Sequence, residues 1–516
     1  MGAAYQQAKE AEPFSQAREK FDEMATYLAS PAAMRSGHAE LERYAVENSR
    51  EIARRMLQAN FDLRAAAESP VAVNGSDGVA RAERRRSSRQ LRTLVGSVVV
   101  SRLLYQAAGF EGLCPQDAAL ALPCEVYSMG VRRRAAEEAA NGSFDETVTQ
   151  IAATTGATVP KRQAEQLTRA AAMDFSAFYE AKEACPDEEA GLLLILTFDG
   201  AGIIMRTESL RPKTQRAAKL QAEEPKHWPA KLGSGEKTNR KRMAQVAAVY
   251  GIAPFVREPE DILRELRPLQ STEPRPKRPR PVNKRVWASV TRDPADVVAE
   301  AFAEAATRDP DHERTWLALV DGNATQIDLV RRAARRAGIT VRIVLDLIHV
   351  LDYLWPAAYC FHPAGSDEAR DWVTERVLAL LRGADASDVA GGMRRSATLR
   401  GLERRAAVDE CATYLINHRM FICYGEALKK GWPIATGVIE GACRHLVRAR
   451  LDCSGARWSV EGAEAVLKLR SLRLSGDFDE YWEFHAAQDF QRTHASRYRG
   501  NRPPNPIRRA QLRRVK

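Results

Sequence analysis

Between residues 191 and 351 the chain alternates apolar runs of strand length with helical stretches, and two of those runs stop at an Asp-Gly pair. GLLLILTFDGAGIIMR (191–206) reads as an apolar strand, a turn at Asp199-Gly200 and a second strand. After a basic, Pro-containing insert, KRMAQVAAVYGI (241–252) reads as a third strand. Residues 271–285, STEPRPKRPRPVNKR, predict an exposed loop or arm. A helix follows at 293–306, then RTWLALVDGN as a fourth strand closing on Asp321. A helix ending at Gly338 and a fifth strand, ITVRIVLDLIHV, complete the series.

Three strands able to form an antiparallel meander, then strands alternating with helices, predict an α/β domain with a mixed five-stranded sheet. That is the strand order of the ribonuclease-H-like fold, expected over 191–351. Residues 352–432 read as an all-helical insertion. The core resumes with a helix near Thr436, and 433–490 are expected to be its last helices, with a basic tail at 491–516. Upstream, Phe21, Met24, Tyr27 and Leu28, then Ile52, Met56, Leu57 and Phe61, recur at helical spacing and predict a helical region over 1–66. Turn formers mark a linker at 68–80. Residues 81–190 are expected to bind DNA: a strand pair at 91–106 around Gly96, then a helix opened by Ser143, a turn at Gly156 and a helix begun by Lys161, Arg162 and Gln163. This layout fits a helix-turn-helix whose second helix could lie in a major groove, or an ordinary helical hairpin.

Asp199 and Asp321 would close neighbouring strands at one sheet edge, and Glu440 sits on the first turn of the resumed helix. Phosphodiester cleavage needs an activated water and a stabilised leaving oxygen, and two divalent ions roughly 3.5–4 Å apart serve both. Mg²⁺ or Mn²⁺ prefers oxygen ligands, so a cluster of carboxylates suits them. Each acid also has a structural reading: a turn at either Asp-Gly, and for Glu440 a helix N-terminus or a pair with Arg444. Asp346, three residues before His349, competes with Asp321 as a ligand or simply caps a helix.

The net charge of +11 favours a polyanionic partner. The basic residues cluster at 81–92, 132–134, 237–242 (including Arg240 and Lys241), 275–285 and 508–516. The eight cysteines, at 114, 124, 185, 360, 411, 423, 443 and 453, form no C-x-x-C pair, which argues against a structural zinc site or a disulfide framework. No apolar stretch approaches a bilayer span and no secretory signal is visible, so a cytosolic protein without a membrane partner is expected.

With these residues in place, the chain resembles bacterial insertion-sequence transposases of the DDE class, close to the ISKra-type group and more distantly similar to Mutator-like transposases. The resemblance rests on LTFDGAGIIMR, NRKRMAQVAAVY, NKRVWASV, LVDGNATQ, IVLDLIHVLDYLW, ASDVAGGMRRSATLRGL and GVIEGACRHLVRARLDCSGARWS. It implies a catalytic and metal-binding trio of Asp199, Asp321 and Glu440, a match for the family histidine at His349, and two Mg²⁺ or Mn²⁺ ions. It also implies transposon-end and target DNA as partners, at least a dimer on DNA, and a cytoplasmic, nucleoid-associated location. The N-terminal zinc region of many relatives has no counterpart here. In this light Arg444, Arg448, Arg450 and Arg457 would contact phosphates and Trp458 would stack on an extruded base, or else the arginines form a solvated basic face and Trp458 is buried. A nuclease of the same fold and a non-catalytic, domesticated DNA-binding protein are the other readings.

Overall fold

The computed structural model describes residues 12–182, 191–223, 240–266, 277–452 and 455–507. The chain divides into two compact units, 1–181 with 478–516, and 182–477.

In the first unit the helices Ser15–Leu28 and His38–Ala67 precede a three-stranded antiparallel sheet. Its strands are β1 (Glu83–Thr93), β2 (Gly96–Ala107) and β3 (Phe110–Leu113). The expected strand pair is therefore larger, because the basic run at 81–92 itself forms β1. Its arginines lie along a paired backbone while Leu91, Val98 and Val100 face Phe61 and Leu122. Helices Met129–Asn141, Phe144–Thr154 and Lys161–Ala171 then share one small core of Val131, Ala135, Ile151, Ala164 and Leu167. Ser143 and Glu146 form a reciprocal capping box that fixes the start of the middle helix.

Helix Phe478–Thr493 belongs to this unit, so the expected grouping of 433–490 breaks at 477/478. The reason is packing. Tyr481 and Phe484 meet Phe178 edge-on, and the Tyr481 hydroxyl donates to the Ala171 carbonyl. His485 and Arg492 both bond the Asp174 carboxylate.

The second unit is α/β around a mixed five-stranded sheet of order β6-β5-β4-β7-β8. The strands are β4 (Leu193–Ile204), β5 (Lys241–Ile252), β6 (Val282–Ser289), β7 (Trp316–Val320) and β8 (Val341–Leu345). β4, β5 and β6 form the antiparallel meander, and β7 and β8 run parallel to β4. Two strand assignments differ from the sequence reading. Asp199-Gly200 is not a turn: β4 runs straight through it, with Asp199 opposite Val246 and Gly200 opposite Gln245. The third strand is β6, whose first residues overlap the end of the expected Pro-rich arm. Arg285 is buried there because Glu300 and Glu304 pair with it and its guanidinium lies 4.6 Å from the Trp287 ring centroid. Residues 271–276 of that arm lie outside the described residues.

The stretch 352–432 is helical, from the end of Leu347–Ala358 through Asp367–Leu381, Ala386–Leu399, Ala406–His418 and Tyr424–Lys429. It is continuous with the sheet: Leu193 and Ile195 of β4, Leu317 and Leu319 of β7, and Leu354, Trp372, Val408 and Leu415 of the insertion form one buried cluster. Among the described residues no helix is long and apolar enough to cross a membrane.

Candidate active site

Parallel pairing sets Thr197 of β4 against Leu319 of β7, and Val320 of β7 against Leu345 of β8. Carried on along the chain, this register sets Asp199 level with Asp321, and Asp321 level with Asp346. Three aspartates thus lie abreast at one sheet edge. Side chains alternate along a strand, so Asp199 and Asp321 point to the face where Ile195 and Leu319 meet the insertion.

The three are not equivalent. Asp199 is half-buried; its Oδ1 accepts from the Gly200 amide at 2.6 Å and its Oδ2 from the Cys443 thiol at 3.1 Å. Asp321 is half-buried, with Oδ1 accepting from the Asn323 amide at 2.8 Å. The turn after it is clamped from the insertion. The Tyr414 hydroxyl donates to the Asp321 carbonyl at 2.9 Å, and His418 Nε2 bonds the Gly322 carbonyl at 2.8 Å. Asp346 is fully buried and acts as the helix cap that was one of its two sequence readings. Its Oδ1 accepts from the Ile348 amide, and its Oδ2 from both the amide and the hydroxyl of Thr436. A carboxyl without exposed surface is poorly placed to bind an ion, whereas Asp321 is half-buried with one oxygen engaged, so Asp321 is the better candidate.

Glu440 is exposed on the helix Gly437–Ala442, which continues through a π-helical turn, Cys443–Arg448, into Ala449–Leu451. Such wide turns are rare and frequent at functional sites. Here the turn begins three residues after Glu440 and opens on Cys443, the thiol that ties the helix to Asp199. Although its surface is exposed, desolvation of the carboxyl by neighbouring atoms, with the Asp346 and Asp199 carboxylates, raises Glu440 above its ordinary range, and His349 pulls the other way. Burial likewise pushes the Cys443 thiol up, with Asp199 adding to it. His349 Nδ1 lies 3.9 Å from Asp352.

The donor chemistry suits a hard divalent cation, since all three candidates offer carboxylate oxygens. The placement fits less completely. Among the described residues no group of three or more His, Cys, Asp or Glu side chains is gathered closely enough to hold an ion.

The expected DNA contacts divide. Arg444, Arg448 and Arg457 are exposed near the Glu440 helix, as are Arg240 and Lys241 where β5 begins, with Lys241 3.8 Å from Asp452. Arg450 and Trp458 are buried and stacked on each other, the guanidinium 4.7 Å from the ring centroid. The Trp458 indole donates to the Leu451 carbonyl, and its backbone bridges to the end of β4 at Ile204 and Arg206. A ring held this way packs the fold and offers no face to a base. In the first unit Lys161, Arg162 and Gln163 are exposed on the first turn of their helix. Lys161 there pairs with Asp145 at 2.7 Å, and Gln163 accepts from the Tyr127 hydroxyl. The basic run at 132–134 is engaged internally, Arg132 with Asp489, Arg133 with Glu137 and Arg134 with Glu138. Residues 237–239 and 508–516 of other basic runs, with Cys185 and Cys453, lie outside the described residues.

Sequence reasoning missed Cys443, Thr436, Tyr414 and His418. Cys443 carried a signal, falling three residues after Glu440 on the same side of a helix. The others are joined to the site only by tertiary contact. No protein-family model matches the chain, and no curated protein matches it.

Proposed function

We propose that the chain is a DNA transposase of the DDE class, with a ribonuclease-H-like core that cleaves and joins DNA at the ends of a mobile element. The observation that carries this reading is the Glu440 helix tied to Asp199 through Cys443, on a parallel β4–β7 register that, continued two residues past Thr197 and Leu319, would bring Asp199 level with Asp321. The sheet order, an antiparallel meander extended on its β4 side by two parallel strands, supports the assigned core. Asp199, Asp321 and Glu440 would hold two Mg²⁺ or Mn²⁺ ions. When bound, such ions supply Lewis acidity to the attacking and leaving oxygens of an in-line displacement.

The chain's own groups would do the rest. The Gly200 and Asn323 amides and the Cys443 thiol orient the two aspartates. Glu440, exposed on the first turn of its helix, completes the acidic face. Exposed Arg444, Arg448, Arg457, Arg240 and Lys241 would meet phosphates near that face, and the Lys161–Gln163 turn would position end DNA. Pairing two ends calls for at least a dimer on DNA, in a bacterial cytoplasm at the nucleoid.

The test uses a linear duplex carrying the DNA that flanks the open reading frame on both sides. Wild type should nick it only with Mg²⁺ or Mn²⁺ and lose activity on chelation. Asp199→Asn, Asp321→Asn and Glu440→Gln should each abolish nicking and leave binding intact. Equal cleavage of generic RNA–DNA hybrids, with no preference for the flanks, would favour a nuclease instead.

A further inference from the structure

We infer that Asp346 is a positioning residue that sets Glu440 through Thr436, closing the helical insertion at its neck; as a statement about catalysis it rests on the transposase reading above. The chain leaves the sheet at Asp346 and returns at Thr436. At that crossing the Asp346 amide donates to the Val320 carbonyl of β7, and the Leu347 amide donates to the Ile434 carbonyl at 2.9 Å. Asp346 Oδ2 then accepts from the Thr436 amide at 3.0 Å and from the Thr436 hydroxyl. The remaining oxygen holds Ile348 at the insertion's first turn. One carboxyl thus joins three elements: the end of β8, the entry of the insertion and its exit.

The linkage runs on to the acid. The Thr436 carbonyl accepts from the amides of Ile439 and of Glu440 itself, at 2.9 and 3.2 Å. Asp346, Thr436 and the Glu440 backbone therefore form one hydrogen-bonded series running from the sheet edge into the first helical turn. Asp346 and Thr436 are both buried, so water cannot substitute at either joint. Glu440, in contrast, is exposed, and its helix begins without a side-chain cap of its own. Its placement depends on what holds Thr436. Outer residues of this kind commonly cost about 10–100-fold in metal affinity or activity when lost.

A direct metal ligand and a positioning residue respond differently to changes at Thr436, which offers no carboxylate. The variants Asp346→Asn, Thr436→Val, Thr436→Ser and the Asp346→Asn/Thr436→Val double are compared in the full chain. On the flanking duplex, Asp346→Asn and Thr436→Val should each lower kcat about 10–100-fold with KM unchanged. Thr436→Ser, which keeps the hydroxyl, should recover most of the loss, and the double variant should be no worse than Asp346→Asn alone. Mn²⁺ binding followed by electron paramagnetic resonance should weaken in the same order. Thr436→Val with wild-type kcat and Mn²⁺ binding, beside an inactive Asp346→Asn, would overturn the inference and make Asp346 a ligand. Amide exchange over 437–442 separates this idea from the transposase reading. Both single variants should speed exchange there whether or not the wild type cleaves DNA. Unchanged exchange would overturn the clamp while loss of cleavage in Asp199→Asn left the broader reading standing.

Discussion

Gly322 holds a backbone φ of +96°, and a Cβ built there would come 2.7 Å from the Tyr414 hydroxyl oxygen. Only glycine meets both demands, and the turn it allows is the one that presents Asp321. Gly322→Ala should therefore move Asp321 while the sheet stays folded. We expect more than tenfold loss of metal-dependent nicking and a local cost of about 1–3 kcal/mol, read from denaturant melts. The Asp-Gly signal was legible here as a turn, and at Asp321 that reading holds. At Asp199 the same dipeptide lies inside a strand, because β4 pairs with β5 along its whole length and nothing local reports that pairing. The role of Asp346 was legible only as one of two options. Its deciding partner, Thr436, lies 90 residues further on.

Strands and helices announced themselves in proportion to how apolar their surroundings are. β7 is buried at every position, and its apolar run shows in the sequence. β1 and β6 did not show. β1 carries five arginines among its eleven residues, three of them consecutive, and β6 buries Arg285 beside a pair of glutamates. Both strands are stabilised by pairing and ion pairs that no period-two pattern records. The Glu440 helix holds a sharper lesson, since its arginines sort by face. Arg444 and Arg448 are exposed and Arg450 is buried against Trp458. Arg444→Ala and Arg448→Ala should each weaken DNA binding and lower the salt slope by about one. Arg450→Ala should leave the salt slope alone and cost about 1–3 kcal/mol of stability, since it removes a buried stacked cation. Salt titrations of binding, paired with thermal melts, distinguish the two classes.

At the scale of the whole molecule the chain folds as two units, and the first recovers its last helix from beyond the second. The Asp174 cluster holds that helix in place and makes the first unit sensitive to acid. Burial pushes the His485 imidazole below its ordinary range, outweighing its bond to Asp174. Burial alone would raise the Asp174 carboxyl, but hydrogen bonds from Arg492 and His485 outweigh it and hold that carboxyl low. Both groups bind protons less readily folded than unfolded. Their contribution is thus full at neutral pH and above, and is lost on acidification. The loss begins below about pH 6.5 as the unfolded histidine protonates and resumes below about pH 4 with the aspartate. Thermal melts of His485→Gln should show lower stability at pH 8 and a flatter slope from pH 7 to 5 than wild type.

The α/β class and the helical insertion could be read from the chain because long apolar runs and helical periods dominate 191–432. The unit boundary could not, since it depends on aromatic contacts between segments far apart in sequence. The central claim is that Asp199, Asp321 and Glu440 act together on DNA. Its most direct test compares wild type with the Asp199→Asn/Asp321→Asn/Glu440→Gln triple variant on the flanking duplex, with Mg²⁺ or Mn²⁺ present. The account predicts metal-dependent nicking and joining by the wild type, and binding without cleavage by the triple variant. Cleavage by the triple variant at the wild-type rate would contradict it.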